Sequence, residues 1–399
     1  MRATARHLFH AGLAAALWAV SGGAAAASAQ ANGQGGAAPS SALLIFQRAT
    51  ESARAAFPRL AGAQPRVVPG SAQYQTALAR LQAGQYAEAF MPMREAVRLN
   101  STSALYHGDL AVVYGGLDRW DEAAIELVLA RNSQGENQWY TVALAAVKAM
   151  RQQWMDAAAN LDAAVAADSG IIDSVVAESA VQWSWRARRN QQMMAWAQLA
   201  TQRYPGTAEP WLRMANWYQQ QRDTTRGAAA IRRYVALRPE DHTGQFLFSV
   251  FLFDLGQNDS ALAFAAEAAV DTANRERASQ VMFGVGARML LAGRHDTAAV
   301  VLARALEGAA AELRPRVSLF LGHAHLGRIP RLDSLAERGR ACAPAMRLDS
   351  AVTLAASNLE AGLALDSARV APILASTIPQ YRQRITAMVN QFCGARRRP

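Results

Sequence analysis

One lysine, two cysteines and 14 prolines are all that a chain of 399 residues carries of these types, and only 18% of it is charged. So few cysteines exclude a disulfide-stapled miniprotein, so few prolines exclude a collagen-like rod, and a hydrophobic content of 51% excludes a wholly disordered chain. The shortage of lysine also changes how the net charge of +10 is read. Lys148 stands alone, and the remaining cations are arginines scattered along an alanine-rich sequence, the pattern of a GC-rich bacterial coding bias. Basic runs are short, Arg186/Arg188/Arg189 and Arg396-Arg397-Arg398, and no aromatic-basic module accompanies them, so solvated faces are expected and a nucleic-acid partner is not.

Chemistry is equally sparse. The sequence has no His-Glu-x-x-His, no phosphate loop ending in Gly-Lys-Ser/Thr and no Gly-x-Ser-x-Gly elbow, and Gly284-Val-Gly286 lacks the third glycine of a dinucleotide loop. His323-Ala-His325 is the nearest approach to a metal pair, but residues two apart on a helix point about 200° away from each other. Neither a metal, a cofactor nor a catalytic couple is expected, and the chain reads as a non-enzyme.

At the amino terminus Arg2 and Arg6 precede the apolar stretch Gly12–Val20, which is followed by small residues ending in Ala27-Ser28-Ala29. That layout predicts a signal peptide over 1–29, a mature start at Gln30 and a periplasmic or secreted protein. Its apolar core is shorter than the roughly 20 residues of a membrane span, and no later stretch reaches that length, so no span is expected in the mature chain. Residues 30–40 have nothing to bury and predict a flexible leader. In 41–69 a helix follows, with Leu43, Leu44, Phe46, Ala49, Ala53 and Phe57 on a helical period, and then a linker broken by Pro58, Pro65 and Pro69-Gly70.

From there on the chain repeats itself. Ala77, Ala111 and Ala145 are 34 apart, as are Tyr86, Trp120 and Trp154, then Ala89, Ala123 and Ala157, then Ala96, Ala130 and Ala164. Tyr204-Pro205 and Arg238-Pro239 keep the same step, and Gly293, Ala298, Leu302 and Ala305 resume it after three extra residues. Each copy has a helix with one small residue among large ones, a turn, an aromatic, and a helix with two alanines seven apart. In these features the sequence resembles the tetratricopeptide repeat family. The resemblance covers about 70–330; Pro92, inside the first B helix, departs from it and predicts a kink there or a shifted helix start. A weak eighth unit opens at Leu321-Gly322, and 331–399 predicts a helical cap.

The expected fold is therefore an all-α, right-handed superhelical solenoid of antiparallel helix pairs. The resemblance implies a non-catalytic scaffold that holds a protein or an extended peptide in a concave groove. An exported chaperone or assembly factor would use the same groove, and an enzyme with its site in the cap is a third reading. Seven of the nine tryptophans lie between Trp139 and Trp217, and the period stacks Gln182 over Asn216 and Arg186 over Gln220. With Trp139, Trp185 and Arg213 these residues make the candidate groove, suited to a peptide backbone and a carboxylate; a solvated surface with incidental tryptophans is the alternative. Phe246, Val250 and Phe253 are the next place on the array to look. Cys342 and Cys393 either form a bridge that ties the last helix to the cap or are two buried thiols.

Overall fold

The computed structural model describes residues 41–61, 68–133 and 137–393. The expected signal peptide and flexible leader, 1–40, and the terminal arginines lie outside the described residues. Among those described, every regular element is helical. They divide into two compact units, Gln34–Trp217 and the chain from Tyr218 on.

In the first unit α1 (Ser41–Ala61) precedes four helix pairs: α2 (Ser71–Gln82) with α3 (Tyr86–Leu99), α4 (Ala104–Gly116) with α5 (Trp120–Ser133), α6 (Trp139–Met150) with α7 (Trp154–Ala167), and α8 (Ser174–Arg186) with α9 (Asn190–Arg203). A further helix, α10 (Ala208–Gln220), carries the unit boundary within it. The short side chain before a helix starts it where one is available. Ser103 accepts from the Tyr106 amide ahead of α4, and Asp173 accepts from the Val175 and Val176 amides ahead of α8. The alanine columns read from the sequence are the contact surfaces. Ala77, Ala111, Ala145, Ala89, Ala123, Ala157, Ala96, Ala130 and Ala164 are all fully buried, and Met93, Leu127 and Leu161 fill the spaces that their short side chains leave. α3 starts at Tyr86 and runs unbroken through Pro92, so the start is not shifted.

The turn inside each of these pairs, the turn that follows α10 and two turns further along the chain share a constant backbone. Gly84, Asp118, Gln152, Arg188, Arg222, Gly256 and Gly293 all have positive φ, each two residues after one helix ends and two before the next begins. In the same place the following amide bonds the carbonyl five residues back, as Gln85 does to Arg80, Arg119 to Tyr114 and Gln153 to Lys148. Glycine takes this conformation freely; other residues are strained in it by roughly 1 kcal/mol. Gln152 is exposed with φ of 59°, so Gln152→Gly is expected to raise stability by about 0.5 kcal/mol, measurable as a shift in the urea midpoint.

The second unit contains α11 (Thr224–Leu237), α12 (His242–Asp254) with α13 (Asn258–Ala268), α14 (Thr272–Leu291) with α15 (His295–Gly308), and α16 (Arg314–Gly339) with α17 (Cys342–Gly362). A short helix α18 (Ser367–Pro372), a π turn and α19 (Ile378–Cys393) close the described chain. The boundary drawn at 330/331 falls in the middle of α16, so the weak eighth repeat and the start of the cap are one 26-residue helix. Pro330 lies on its exposed side, where water can bond the carbonyl that loses its amide partner, while Val317, Leu321, Ala324, Ile329 and Ala336 keep the buried stripe continuous past it. Cys342, which opens α17, and Cys393, which ends α19, are joined by a disulfide with Cα atoms 4.9 Å apart.

His325 sits buried in α16 with its Nδ1 accepting from the Arg328 guanidinium at 3.2 Å. Burial, and then the charge of Arg328, push the imidazole down to about 4. An unfolded histidine takes its proton near pH 6.5 and the folded one only near 4, so stability falls as pH drops through that window. The expected loss in the second unit is on the order of 3 kcal/mol between pH 7 and 4. His325→Gln should flatten that dependence; urea midpoints of both proteins across the window check it.

Candidate functional site

The candidate groove is the face formed by the first helices of the pairs in unit one. The part occupied by α1 has α4, α6 and α8 as its floor, α1 packing chiefly on α6 and also on α4 and α8. The site expected from the sequence is centred further along, on the fourth and fifth of these helices, α8 and α10, with Trp139 entering from α6. The sequence explains the fit. Ala42, Ile45, Phe46, Ala49, Thr50 and Ala53 recur at three- and four-residue steps and form one buried stripe, while Leu44, Gln47, Arg48 and Glu51 face solvent. Of the two leucines expected on the apolar face, Leu43 is partly buried against the core, whereas Leu44 is exposed and the fully buried stripe passes through Ala42 and Ile45. The Phe57 side chain lies outside the described residues.

Close approach of α1 depends on small groups in the floor. Phe46 meets the edge of Trp120 with ring centroids 5.4 Å apart, directly over Gly115, where any Cβ would lie 2.8–3.0 Å from both rings. Within the floor itself Gly108 of α4 makes room for the Tyr140 ring of α6, whose nearest atom is 2.5 Å from where a Cβ would be.

A buried ion pair fixes the register. Arg54 donates from Nε to both oxygens of Asp109 at 3.1 Å and from Nη2 to Oδ1 at 2.6 Å, and Tyr74 of α2 donates its hydroxyl to Oδ2 at 2.6 Å. Asp109 is 2% exposed. Burial and then the neighbouring Asp109 raise the Tyr74 hydroxyl far above the ordinary tyrosine range, so it remains a donor. For Arg54, burial pulls the value down, but the hydrogen bonds and charge of Asp109 outweigh it and the net shift is upward. The ends of α1 are held by lighter contacts. Asn137 donates to the Ala53 carbonyl at 3.1 Å, Arg48 pairs with Asp173 at 2.6 Å, and Ser41 donates to Gln182 at 2.8 Å.

The residues singled out from the sequence are distributed as follows. Gln182 of α8 accepts from Ser41 of α1. Trp139 opens α6 and packs, half-buried, against the core of the unit. Trp185 and Arg213 are brought together, the guanidinium 5.5 Å from the indole. Arg213 is not a free cation for a carboxylate, however: it is buried and donates to Glu209, whose carboxylate lies one helical turn earlier. Arg186 lies exposed over the Trp154 ring at 4.8 Å, and Asn216 is half-buried on α10. Gln220 is exposed and belongs to the second unit. Phe246, Val250 and Phe253 are buried core, with Arg277 stacked on Phe246 and Arg288 on Phe253. His323 and His325 have no partners for a metal, and no cluster of three or more metal-binding side chains occurs among the described residues.

Asp109, Arg54 and Tyr74 belong to no repeated column of the sequence. The visible signal is Asp109 itself, a carboxylate in the apolar helix Leu105-Tyr-His-Gly-Asp-Leu-Ala111, which demands a buried donor.

Antiparallel helix pairs on a 34-residue step, stacked through alanine columns, define an all-α array of tetratricopeptide-like repeats. No family model matches the chain, and no curated protein matches it by sequence. Solved structures resemble it in part. One is the C-terminal part of a repeat-containing protein of this kind from Cytophaga hutchinsonii, 11% identical over 59% of this chain and 94% of that one, with a TM-score of 0.45. Another is a tetratricopeptide repeat protein from Parabacteroides merdae, 10% identical over 64% and 98%, TM-score 0.42. A third, YrrB, described as a repeat protein with an unusual peptide-binding site, is 11% identical over 44% and 90%, TM-score 0.40. The fold assignment rests on the pairing seen in this chain rather than on these likenesses.

Proposed function

We propose that the protein is an exported, non-catalytic scaffold that holds a protein segment on the face made by the first helices of its repeats. One observation carries the reading: in unit one that face accommodates a chain segment along its length, with an apolar floor, a glycine that admits an aromatic of that segment and a buried charge that sets register. Such a surface suits an elongated partner, since it runs across three successive helices. Export is supported by the amino-terminal sequence and by the Cys342–Cys393 bridge, which persists best in an oxidising compartment.

Crosslinking in the native cell envelope followed by mass spectrometry tests the scaffold reading. One or a few stoichiometric partners attached near residues 104–186 are expected. Many unfolded clients in substoichiometric amounts would instead identify a chaperone or assembly factor. Intact mass tests export: the mature chain should begin at Gln30, and exported protein that retains Met1 would sink that assignment.

A further inference from the structure

We infer that the groove over α4, α6 and α8 is a receptor for an amphipathic helix that presents an apolar pair and, two turns later, a guanidinium, and that α1 is its resident, exchangeable occupant. This rests on the scaffold reading and adds what the scaffold recognises: a helix from another protein, with residues equivalent to Ile45, Phe46 and Arg54, takes the place of α1.

The contacts of α1 show why those three positions define the ligand. Ala42, Ala49 and Ala53 permit close approach but carry little apolar surface themselves, whereas Ile45 and Phe46 are large and 2% exposed. The exposed Ser41–Gln182 bond and the half-exposed Arg48–Asp173 pair contribute little. Selectivity then falls to Asp109. With α1 absent, that carboxylate would retain only Tyr74, and an occupant without a cation at the Arg54 position would bury it unpaired. The groove therefore rejects apolar helices as well as acidic ones.

Two features separate α1 from the array. It stands outside the 34-residue step, so no repeat depends on it for its own helix pair. It is also connected through a proline-containing segment rather than through one of the constant turns. The Tyr140 hydroxyl adds a third: it is buried in the floor beside this site without a partner, although α1 is in place. A foreign helix with a polar side chain there would satisfy it, and would gain where α1 does not. The tethered α1 competes at an effective concentration in the millimolar range, so a displacing helix must bind the empty groove correspondingly better than α1 does.

The test uses the full mature chain with Phe46→Ala and Arg54→Ala, which loosen the resident helix and leave the floor intact. A fluorescent peptide of residues 41–61 is titrated by anisotropy. Saturable binding is expected, at least tenfold weaker for the same peptide with Arg54→Gln. With Asp109→Asn added to the protein, the two peptides should converge to within about threefold. Equal binding of both peptides to the Asp109 protein, or none to a protein with native helicity, overturns the inference.

Hydrogen exchange on the unaltered chain guards against variants that do not fold. Amides of 41–61 should exchange as a separate unit, ahead of those of α6, and faster still with excess peptide. Exchange of α1 only together with α6 would show a permanent core element and overturn the inference. A concentration-dependent dimer dissolved by the peptide would assign the occupant to a second copy, and would overturn the foreign-helix reading. All of these outcomes are independent of whether the envelope crosslinks find a partner.

Discussion

Arg54→Ala is expected to destabilise unit one by about 2–3 kcal/mol, toward the low end for a broken buried pair because the arginine side chain is 29% exposed. Asp109 is left at 2% exposure with one hydrogen-bond donor, Tyr74, in place of the several it now has. The second variant decides the cause. Arg54→Ala combined with Asp109→Asn removes the uncompensated charge as well as its partner, so most of the loss should be recovered, as a double-mutant cycle read from urea midpoints would show. If the double variant is no more stable than Arg54→Ala, packing of the arginine stem rather than charge holds this end of α1. The cost also has a ceiling: it cannot exceed the free energy of releasing α1 from the groove, because release lets water reach Asp109.

Opening the Cys342–Cys393 bridge should have a comparable effect on the second unit. The bridge spans 51 residues, and loop entropy of that length corresponds to about 4 kcal/mol in the unfolded state. Cys342→Ser with Cys393→Ser is expected to lower the stability of the second unit by up to that amount. α17 and α19 still bury Leu348, Val352, Ile378 and Ile385 between them, and Arg384 still pairs with Asp333 and Glu337, so the fold should persist in the variant at moderate temperature. Alkylation of denatured, unreduced protein should label neither thiol and reduction should free both. Labelling of both before reduction would mean that the helices are held by packing alone.

How far the sequence anticipated this depends on the range of the interaction concerned. The alanine columns and turn positions were legible because they recur locally: Ala111 and Ala123 are buried on the two packed helices of one hairpin, and a column kept through three copies reports that packing three times. The apolar stripe of α1 was legible as a stripe, but periodicity gives a helix its faces and not its neighbour. Arg54 and Asp109 are 55 residues apart and belong to no repeat, so nothing in the period connects them. The pairing of Arg213 with Glu209 was available, being a four-residue step on one helix, and it accounts for the arginine that the groove reading left free. The single helix through Pro330 was concealed for a different reason: a proline is a strong breaker only where its missing amide bond is costly, and exposure to water, which the sequence does not display, removes most of that cost.

The constant turns have a consequence for how the array can change length. From Gly84 to Gly256 and on to Gly293, the geometry from two residues before the left-handed position to two residues after it never varies, while the step from one such position to the next is 34, 34, 36, 34, 34 and 37 residues. Every added residue has therefore been absorbed between one hairpin and the next, at the Ser169–Ile171 turn and in the longer α14, and none within a hairpin. Each hairpin behaves as a sealed cassette whose phase is set internally, and the joints between cassettes are where the chain tolerates splicing. A reporter inserted at Gly170 should leave both adjoining cassettes in register, whereas the same insertion at Gln152 would break the phase of one.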